Sequence, residues 1–225
     1  MQVQELQLPV EDLQELTPVL PNRALSYLAM KRLGDCLISS LLLVILSPIF
    51  LIIALAIKLE DPKGKVIYKQ LRAGGEGLPF WMYKFRSMYS NADEMKALLK
   101  DQNEMDGPVF KIRNDPRITK VGRIIRRLSL DEIPQFVHVW RGQLSLVGPR
   151  PLYVEEAEEL NPFQKQRELV KPGLTCIWQV SGRSNIPFKR WMEMDIEYIQ
   201  KQSLWTDFVI ILKTVPAVFF GKGAA

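Results

Sequence analysis

The sequence is poor in the residues that most metal-dependent and covalent active sites require. It has one histidine and two cysteines in 225 residues. Cys36 and Cys176 have neither the spacing of metal ligands nor the number that a disulfide framework needs, and they indicate a reduced, cytosolic setting. His138 lies in a short amphipathic segment, where a structural role is the usual one, so we assign it no chemistry. No P-loop, G-x-G-x-x-G motif or Ser-His-Asp candidate is present.

A large excess of charge of either sign is also absent. The 30 lysines and arginines outnumber the 25 acids to give a net charge of +5. An excess of this kind suits nucleic acid, anionic lipid or phosphorylated substrates, so charge alone selects no partner. Residues 1–30 are interpreted as an N-terminal arm, because their first part is acidic and contains three prolines.

The sequence does contain one long hydrophobic segment without charge, residues 36–57. At about 1.5 Å per residue, a straight helix of this length crosses a hydrocarbon core of about 30 Å. A buried core helix is the alternative, but a segment that is apolar on every face is not typical of one. We therefore predict a membrane helix over residues 31–58.

Ser47-Pro48 divides this helix at its centre. Pro48 cannot donate to the carbonyl of Val44, so the helix should kink there, and the Ser47 hydroxyl can donate to a freed carbonyl nearby. Lysines and arginines flank both ends, and the positive-inside rule places cationic ends in the cytoplasm. The pattern is consistent with a re-entrant helix that returns to the face it entered, and with a kinked helix that spans the bilayer.

The rest of the chain alternates short strands with helices. Strands are predicted at 66–70 and 80–85, around a glycine-rich turn, and a strand-like segment at 171–184. Helices are predicted at 91–100, 117–128, 133–140, 155–169 and 188–202. Residues 205–220 form a second hydrophobic element, which contains Asp207 and Lys213 and is expected to break at Pro216. It suits either the membrane interface, with Trp205 and Phe208 at headgroup depth, or packing against the core.

The segment SLDEIPQF, residues 129–136, puts two carboxylates together after a basic window at 117–127 that contains no acid. Ser129 and Glu132 have the spacing of a capping box, which would be a purely structural role. Pro134 favours a helix whose N-cap is Leu130 or Asp131, and the positive end of that helix should favour the ionised carboxylates. An ionised aspartate beside cations suits a nucleophile for phosphorus, and the pair could hold Mg²⁺.

Two further motifs carry candidate phosphate ligands. Lys84 and Arg86 in YKFRSM share one face of a predicted strand, which could equally be a solvated face. Arg150 lies between two prolines in VGPRP, a rigid setting for a bidentate phosphate contact or an ordinary exposed turn.

In this order, the broken helix, KFRSM, GRIIRRLSLDEIPQ, SLVGPRP, KPGLTCIWQVSGR and MDIEYI resemble the bacterial sugar transferases. These are monotopic polyprenyl-phosphate phosphoglycosyl transferases, and the resemblance is to their short form, from about residue 31 to the C-terminus. It implies an α+β, mainly helical fold with a re-entrant helix broken at Ser47-Pro48, interfacial amphipathic helices and a small cytosolic catalytic domain with short strands at 59–225. Cys176 stands where the family commonly has glycine.

The resemblance also implies an activity, which is transfer of a sugar 1-phosphate from a UDP-sugar to polyprenyl (undecaprenyl) phosphate with release of UMP. Asp131 would be the nucleophile that forms a covalent phosphosugar intermediate, and Glu132 would bind Mg²⁺ or assist the acceptor. The substrate-binding residues it implies are Lys84, Arg86, Arg126, Arg150 and Asp195. The expected site of action is the cytoplasmic face of the bacterial inner membrane, in contact with lipid and not nucleic acid.

Two other functions compete with this one. A membrane-bound scaffold for anionic lipid would explain the hydrophobic helix and the basic excess, but not the acidic pair. A hydrolase of nucleotide sugars would release UMP without a lipid acceptor. The sequence does not distinguish which UDP-sugar is used, or whether the protein is a homo-oligomer.

Overall fold

The computed structural model describes residues 18–99, 104, 112, 114–182 and 186–219. Within these residues the protein is mainly helical with two small two-stranded sheets, as predicted. Most of the predicted N-terminal arm, residues 1–17, lies outside the described residues.

The hydrophobic segment forms two helices, α1 (Leu25–Ile45) and α2 (Ser47–Glu60), whose axes are bent by 58°. Pro48 is the second residue of α2, and the Ser47 hydroxyl donates to the carbonyl of Val44 at 2.8 Å. This confirms the predicted break and its hydrogen bond. Among the described residues no single helix is long and apolar enough to cross a membrane, whereas this bent pair passes the same test of length and composition when taken together.

The first helix of the bent pair is held to the rest of the protein by buried polar contacts. The Lys31 ammonium lies 2.7 Å from an Asp207 carboxylate oxygen and donates to the Val147 carbonyl at 3.0 Å. Asp35 accepts from the Leu146 amide at 2.9 Å and from the Ser145 hydroxyl at 3.1 Å. The N-terminal half of α1 is therefore fixed to the strand that precedes Arg150.

The end of the second helix is held to the same body of the protein. Glu60 accepts hydrogen bonds from the backbone amides of Lys120 and Val121 at 2.7 and 2.9 Å. Both amides lie at the start of a helix, where they have no carbonyl partner within that helix. Asp61 pairs with the guanidinium of Arg86. Both ends of the bent pair thus make polar contacts with the rest of the folded protein.

The strands form two separate sheets. β1 (Ile67–Ala73) and β2 (Pro79–Phe85) are an antiparallel hairpin that confirms the predicted pair, with Ile67 opposite Phe85. β3 (Ser145–Val147) and β4 (Gly173–Thr175) pair in parallel.

The remaining helices are short except the last two. They are α3 (Ala92–Leu98), α4 (Lys120–Arg127), α5 (Phe136–Arg141), α6 (Val154–Glu158), α7 (Pro162–Lys165), α8 (Ile177–Ser181), α9 (Phe188–Gln200) and α10 (Leu204–Phe219). Among the described residues, three 3₁₀ helices occur at Gly75–Gly77, Leu130–Gln135 and Gln166–Leu169. We call the second of these, Leu130–Gln135, the carboxylate turn.

Three predicted elements were wrong in their extent. The single helix expected over 155–169 is interrupted at Asn161, whose side chain caps α7 ahead of Pro162. The segment expected to be strand-like over 171–184, whose last two residues lie outside the described residues, is a strand at Gly173–Thr175 and then a helix at Ile177–Ser181, because Ile177 and Val180 pack on the core at a helical spacing of three. Helix α10 continues through Pro216, since only its last turn follows the proline.

One apolar cluster joins the bent pair to the segment that carries the acidic pair. Ile53 and Ile57 of α2 pack with Phe85 at the end of β2, Ile125 of α4 and Ile133 of the carboxylate turn. Burial of these side chains fixes α2 against three elements that carry predicted site residues. The apolar helix pair and the predicted active site are therefore parts of one packed unit.

Candidate active site

The acidic pair lies on a 3₁₀ helix and not at the start of an α-helix, which corrects the sequence prediction. Ser129 precedes the carboxylate turn with left-handed dihedral angles (φ 55°, ψ 21°), and its side chain caps nothing, so no capping box forms. Pro134 lies inside the turn, and α5 begins only at Phe136. Pro134 has no backbone N–H, so it would interrupt the hydrogen bonds of an α-helix that starts near Ser129. A short 3₁₀ segment accommodates it.

The three-residue period of the carboxylate turn separates its apolar side from its acidic side. Leu130 and Ile133 are one turn apart and both pack in the cluster beneath α2. Asp131 and Glu132 fall between them and point elsewhere. Asp131 is buried as well, with only 9% of its surface exposed to solvent, so its carboxyl group lies in a largely dehydrated environment.

Basic side chains from three other segments surround the acidic pair. Arg150, after β3, donates to the Glu132 carboxylate, and the Lys84 ammonium of β2 lies 3.7 Å from Glu132 Oε1. Arg126, at the end of α4, is near enough for its charge to act on Asp131. The structure thus brings together five of the seven residues that the sequence singled out.

Burial dominates the ionisation of Asp131. Loss of hydration, followed by repulsion from Glu132, raises the pKa of Asp131 to about 6, against the attraction of Lys84, Arg126 and Arg150. The sequence-based expectation that the helix end favours ionisation was therefore wrong in direction, because dehydration outweighs it. The carboxylate is still the major form at neutral pH.

The cations respond differently to the same environment. Burial lowers the pKa of Lys84 to about 8, and the attraction of Glu132 only partly opposes this. Burial also disfavours the Arg150 guanidinium, but Glu132 and the other nearby groups together outweigh it and raise the pKa of Arg150. Lys84 is thus a cation that titrates close to physiological pH.

Arg86 has other partners. Its guanidinium pairs with Asp61 and donates to the carbonyls of Asp61 and Lys65 at 2.7 Å each. These contacts join the end of β2 to the end of α2. The structure does not bring Arg86 to the acidic pair, and its role as a phosphate ligand stays a prediction.

Asp195 is linked to the site by an arginine that none of the sequence motifs singled out. Arg167 donates to Asp195 Oδ2 at 2.7 and 3.0 Å and to the carbonyl of Arg150 at 2.6 Å. Burial raises the pKa of Asp195 to about 6, against the attraction of Arg167. In this structure Asp195 supports the backbone of Arg150, and a direct contact with substrate stays a prediction.

A second arginine that the sequence did not single out holds the next residue of the same segment. Arg72 of β1 donates to the carbonyl of Pro151 at 3.1 Å, and its guanidinium lies 3.6 Å from the centroid of the Tyr153 ring. Arg167 and Arg72 thus hold two successive backbone carbonyls, those of Arg150 and Pro151. Neither residue belongs to a recognisable motif, and the burial of an arginine is not readable from spacing.

Replacing Arg167 by glutamine tests this support. We expect kcat/KM to fall by about tenfold or more, since the Arg150 guanidinium would lose its fixed position. Adding Asp195→Asn should cost little further, because the two residues act through one contact. Steady-state kinetics of the single and double variants measure this coupling, and additive losses would contradict it.

His138 has a structural role in the same region. Its Nε2 accepts from the Tyr83 amide at 3.0 Å, and its Nδ1 lies 2.8 Å from Gln143 Oε1. Burial lowers the pKa of His138, which favours the neutral ring that this pattern requires. The contact holds α5, which follows the carboxylate turn, against the strand that carries Lys84.

The described residues contain no group of three or more histidines, cysteines, aspartates or glutamates that could hold a metal ion. The Mg²⁺ site predicted at Asp131 and Glu132 therefore stays a prediction. This ion is commonly held by one or two carboxylates together with phosphate oxygens of a substrate and water.

Comparison with known proteins identifies the family. Residues 26–221 match the family model described as bacterial sugar transferase. The chain therefore belongs to the bacterial sugar transferase family, as its motifs predicted.

Three relatives illustrate its neighbours. The chain is 48% identical over 162 residues to galactosyl transferase CpsE of Streptococcus agalactiae, covering 72% of this chain and 36% of CpsE. It is 39% identical to exopolysaccharide production protein ExoY of Rhizobium meliloti, covering 86% of this chain and 87% of ExoY. It is 41% identical to undecaprenyl-phosphate galactose phosphotransferase of Salmonella typhimurium, covering 87% and 41%. The chain thus spans well under half the length of two of these relatives.

Proposed function

We propose that this protein transfers a sugar 1-phosphate from a UDP-sugar to polyprenyl phosphate and releases UMP. This would be the first membrane step in assembling an exopolysaccharide or glycoconjugate. The observation that carries the proposal is a buried carboxylate, Asp131, among three cations on a turn packed against the apolar helix pair. Relatives named as undecaprenyl-phosphate galactose phosphotransferase and UDP-glucose:undecaprenyl-phosphate glucose-1-phosphate transferase support it.

In the first step, an Asp131 carboxylate oxygen attacks the phosphorus bonded to the sugar. The bond between that phosphorus and the bridging oxygen breaks, and UMP leaves with the electron pair. In the second step, a phosphate oxygen of the acceptor attacks the same phosphorus and displaces the Asp131 carboxylate. The product is polyprenyl-diphosphate-sugar, and the carboxylate is regenerated for the next cycle.

The cations make this attack by an anion feasible. Lys84, Arg126 and Arg150 offset the negative charge of the diphosphate, which would otherwise repel a carboxylate. Glu132 holds Arg150 and Lys84 in place through its ion pairs. A Mg²⁺ ion held by Asp131 or Glu132 with the diphosphate would neutralise further charge on the departing UMP.

The bent helix pair supports a re-entrant attachment on one membrane face. Both ends of the pair are bound to the rest of the folded protein. If the pair spanned the bilayer, it would therefore draw polar parts of the protein into the hydrocarbon core. Arms of roughly 31 and 21 Å, bent as observed, form a V only about 12 Å deep, which is less than half of a hydrocarbon core of about 30 Å. Flanking cations favour the cytoplasmic face of the inner membrane.

Apolar side chains cover the outer surface of this V. Leucines, isoleucines and valines exposed on α1 and α2 include Leu37, Leu41, Val44, Ile52 and Leu55. On α10, Trp205 is 71% exposed and Phe208 is 48% exposed, while Asp207 is buried against Lys31. One face of α10 packs inward and the other continues the apolar surface, which suits a helix at the membrane interface.

Cysteine labelling distinguishes the two attachments. With Cys36 and Cys176 replaced by alanine, single cysteines at exposed positions Leu20 and Lys63 should both react from the cytoplasmic side of oriented vesicles. The re-entrant arrangement requires this because both positions flank the same V. Labelling of the Leu20→Cys variant from the outer side alone would establish a spanning helix.

The pH profile tests the ionisation states that the mechanism needs. We expect kcat/KM to be bell-shaped with limbs near pH 6 and pH 8, since Asp131 must be ionised and Lys84 protonated. Lys84→Arg keeps the charge at higher pH, so its alkaline limb should move upward while the acid limb stays. An unchanged alkaline limb in that variant would remove Lys84 from the mechanism.

The activity itself is tested by UMP release from a panel of UDP-sugars with polyprenyl phosphate and Mg²⁺. Transfer to lipid with equimolar UMP supports the proposal. UMP release without transfer would show a hydrolase, and release from no donor would leave a lipid-binding scaffold.

A further inference from the structure

A small apolar pocket lies at the bend of the helix pair, and the proposed chemistry does not use it. Its volume is about 210 Å³, and its lining is almost wholly apolar. The residues that line it are Leu43, Leu46, Ser47, Phe50, Leu51 and Ile133. Because the Ser47 hydroxyl donates to Val44, the one polar side chain in the lining is already satisfied.

The pocket exists because the helix is bent. Leu43 and Leu46 come from the end of α1 and the linking residue, whereas Phe50 and Leu51 come from the first turns of α2. The 58° bend at Pro48 turns these two walls towards each other across the carboxylate turn, which supplies the floor. A straight helix would present the same side chains along one outer surface.

The floor of the pocket connects it to the reacting groups. Ile133 is two residues from Asp131 on the carboxylate turn, a separation of roughly 4 Å along a 3₁₀ axis. Asp131, Glu132 and the cations occupy other sides of the same turn. An anionic site and an apolar pocket are thus adjacent, and the pocket lies on the side formed by the membrane-facing helices.

We propose that this pocket binds the part of the acceptor's prenyl chain that adjoins its phosphate. The inference rests on the proposed function and names a site for one of its substrates. A branched hydrocarbon chain matches the apolar lining, and the phosphate at its end matches Lys84, Arg126 and Arg150. Burial of the chain here positions the acceptor phosphate beside Asp131, where the second step needs it.

Filling the pocket tests the inference. Leu43→Phe and Leu51→Phe each enlarge one wall, and we expect the KM for undecaprenyl phosphate to rise about tenfold, as for the loss of a few buried methylene contacts. The KM for the UDP-sugar and the turnover at saturating acceptor should stay within about twofold. The matched controls are Leu41→Phe and Leu55→Phe, exposed positions on the same two helices outside the pocket lining, which should resemble the wild type.

Three results would overturn the inference. An unchanged acceptor KM in both pocket variants would mean that the pocket holds a membrane acyl chain or nothing that affects transfer. A parallel rise in the donor KM would mean that the pocket supports the fold of the carboxylate turn. A wild-type protein that transfers no sugar phosphate would refute the proposed function first, and that result is distinct from both of the others.

Discussion

Replacing Asp131 by asparagine is expected to abolish transfer, with turnover falling by at least about four orders of magnitude. The change removes the oxygen charge that attacks phosphorus and keeps the shape of the side chain. Single-turnover assays of sugar-phosphate transfer measure the loss.

The same variant should remain folded, which separates loss of chemistry from loss of structure. The pKa of Asp131 is raised in the folded protein, so its ionisation costs folding free energy as the pH rises through about 6. Asparagine avoids that cost, and the free energy of unfolding at pH 7 should not decrease. Glu158→Gln, an exposed change of the same type on α6, is the control for lost charge. If the Asp131→Asn variant transferred sugar phosphate at a rate within tenfold of the wild type, Asp131 would not be the nucleophile.

Replacing Glu132 by glutamine is expected to move the whole pH profile towards acid and to lower kcat/KM by about two orders of magnitude. Glu132 raises the pKa of Asp131 by repulsion and that of Lys84 by attraction. Without the charge of Glu132 both pKa values fall. The acid limb therefore moves below pH 6 and the alkaline limb below pH 8. A role limited to packing would leave the two limbs where they are.

Stability should fall in the same variant. Arg150 and Lys84 are largely buried beside Glu132, and its loss leaves two like charges facing each other. Removing one partner of such a group costs about 2–4 kcal/mol of unfolding free energy, a little below the value for a fully buried pair. Urea denaturation measures this, and Glu132→Asp should recover part of it by keeping the charge. Equal stability of the glutamine and wild-type proteins would show that Glu132 does not hold the cations.

The broken helix and the hairpin were predictable because their causes are local. Pro48 cannot donate to Val44, and Ser47 is the nearest hydroxyl, so the break and its hydrogen bond follow from three residues. Strand alternation before and after the glycine-rich turn likewise specifies β1 and β2.

The details of the site depend on burial, which no spacing reveals. The Ser129–Glu132 pattern indicated a capped helix, but packing of Leu130 and Ile133 beneath α2 favours a 3₁₀ turn. Asp131 was expected to be ionised easily, and dehydration raises its pKa instead. Arg72 and Arg167 hold the Arg150 segment through backbone carbonyls, and contacts to backbone leave no sequence signature.

The most direct test of the central proposal is to look for the covalent intermediate. Wild-type protein incubated with a UDP-sugar and no lipid acceptor should release one UMP per active site and gain the mass of one sugar phosphate. Mass spectrometry of the peptide that contains the carboxylate turn should place that mass on Asp131, and added polyprenyl phosphate should remove it. An active enzyme that gains no such mass, or carries it on a different residue, would contradict the mechanism.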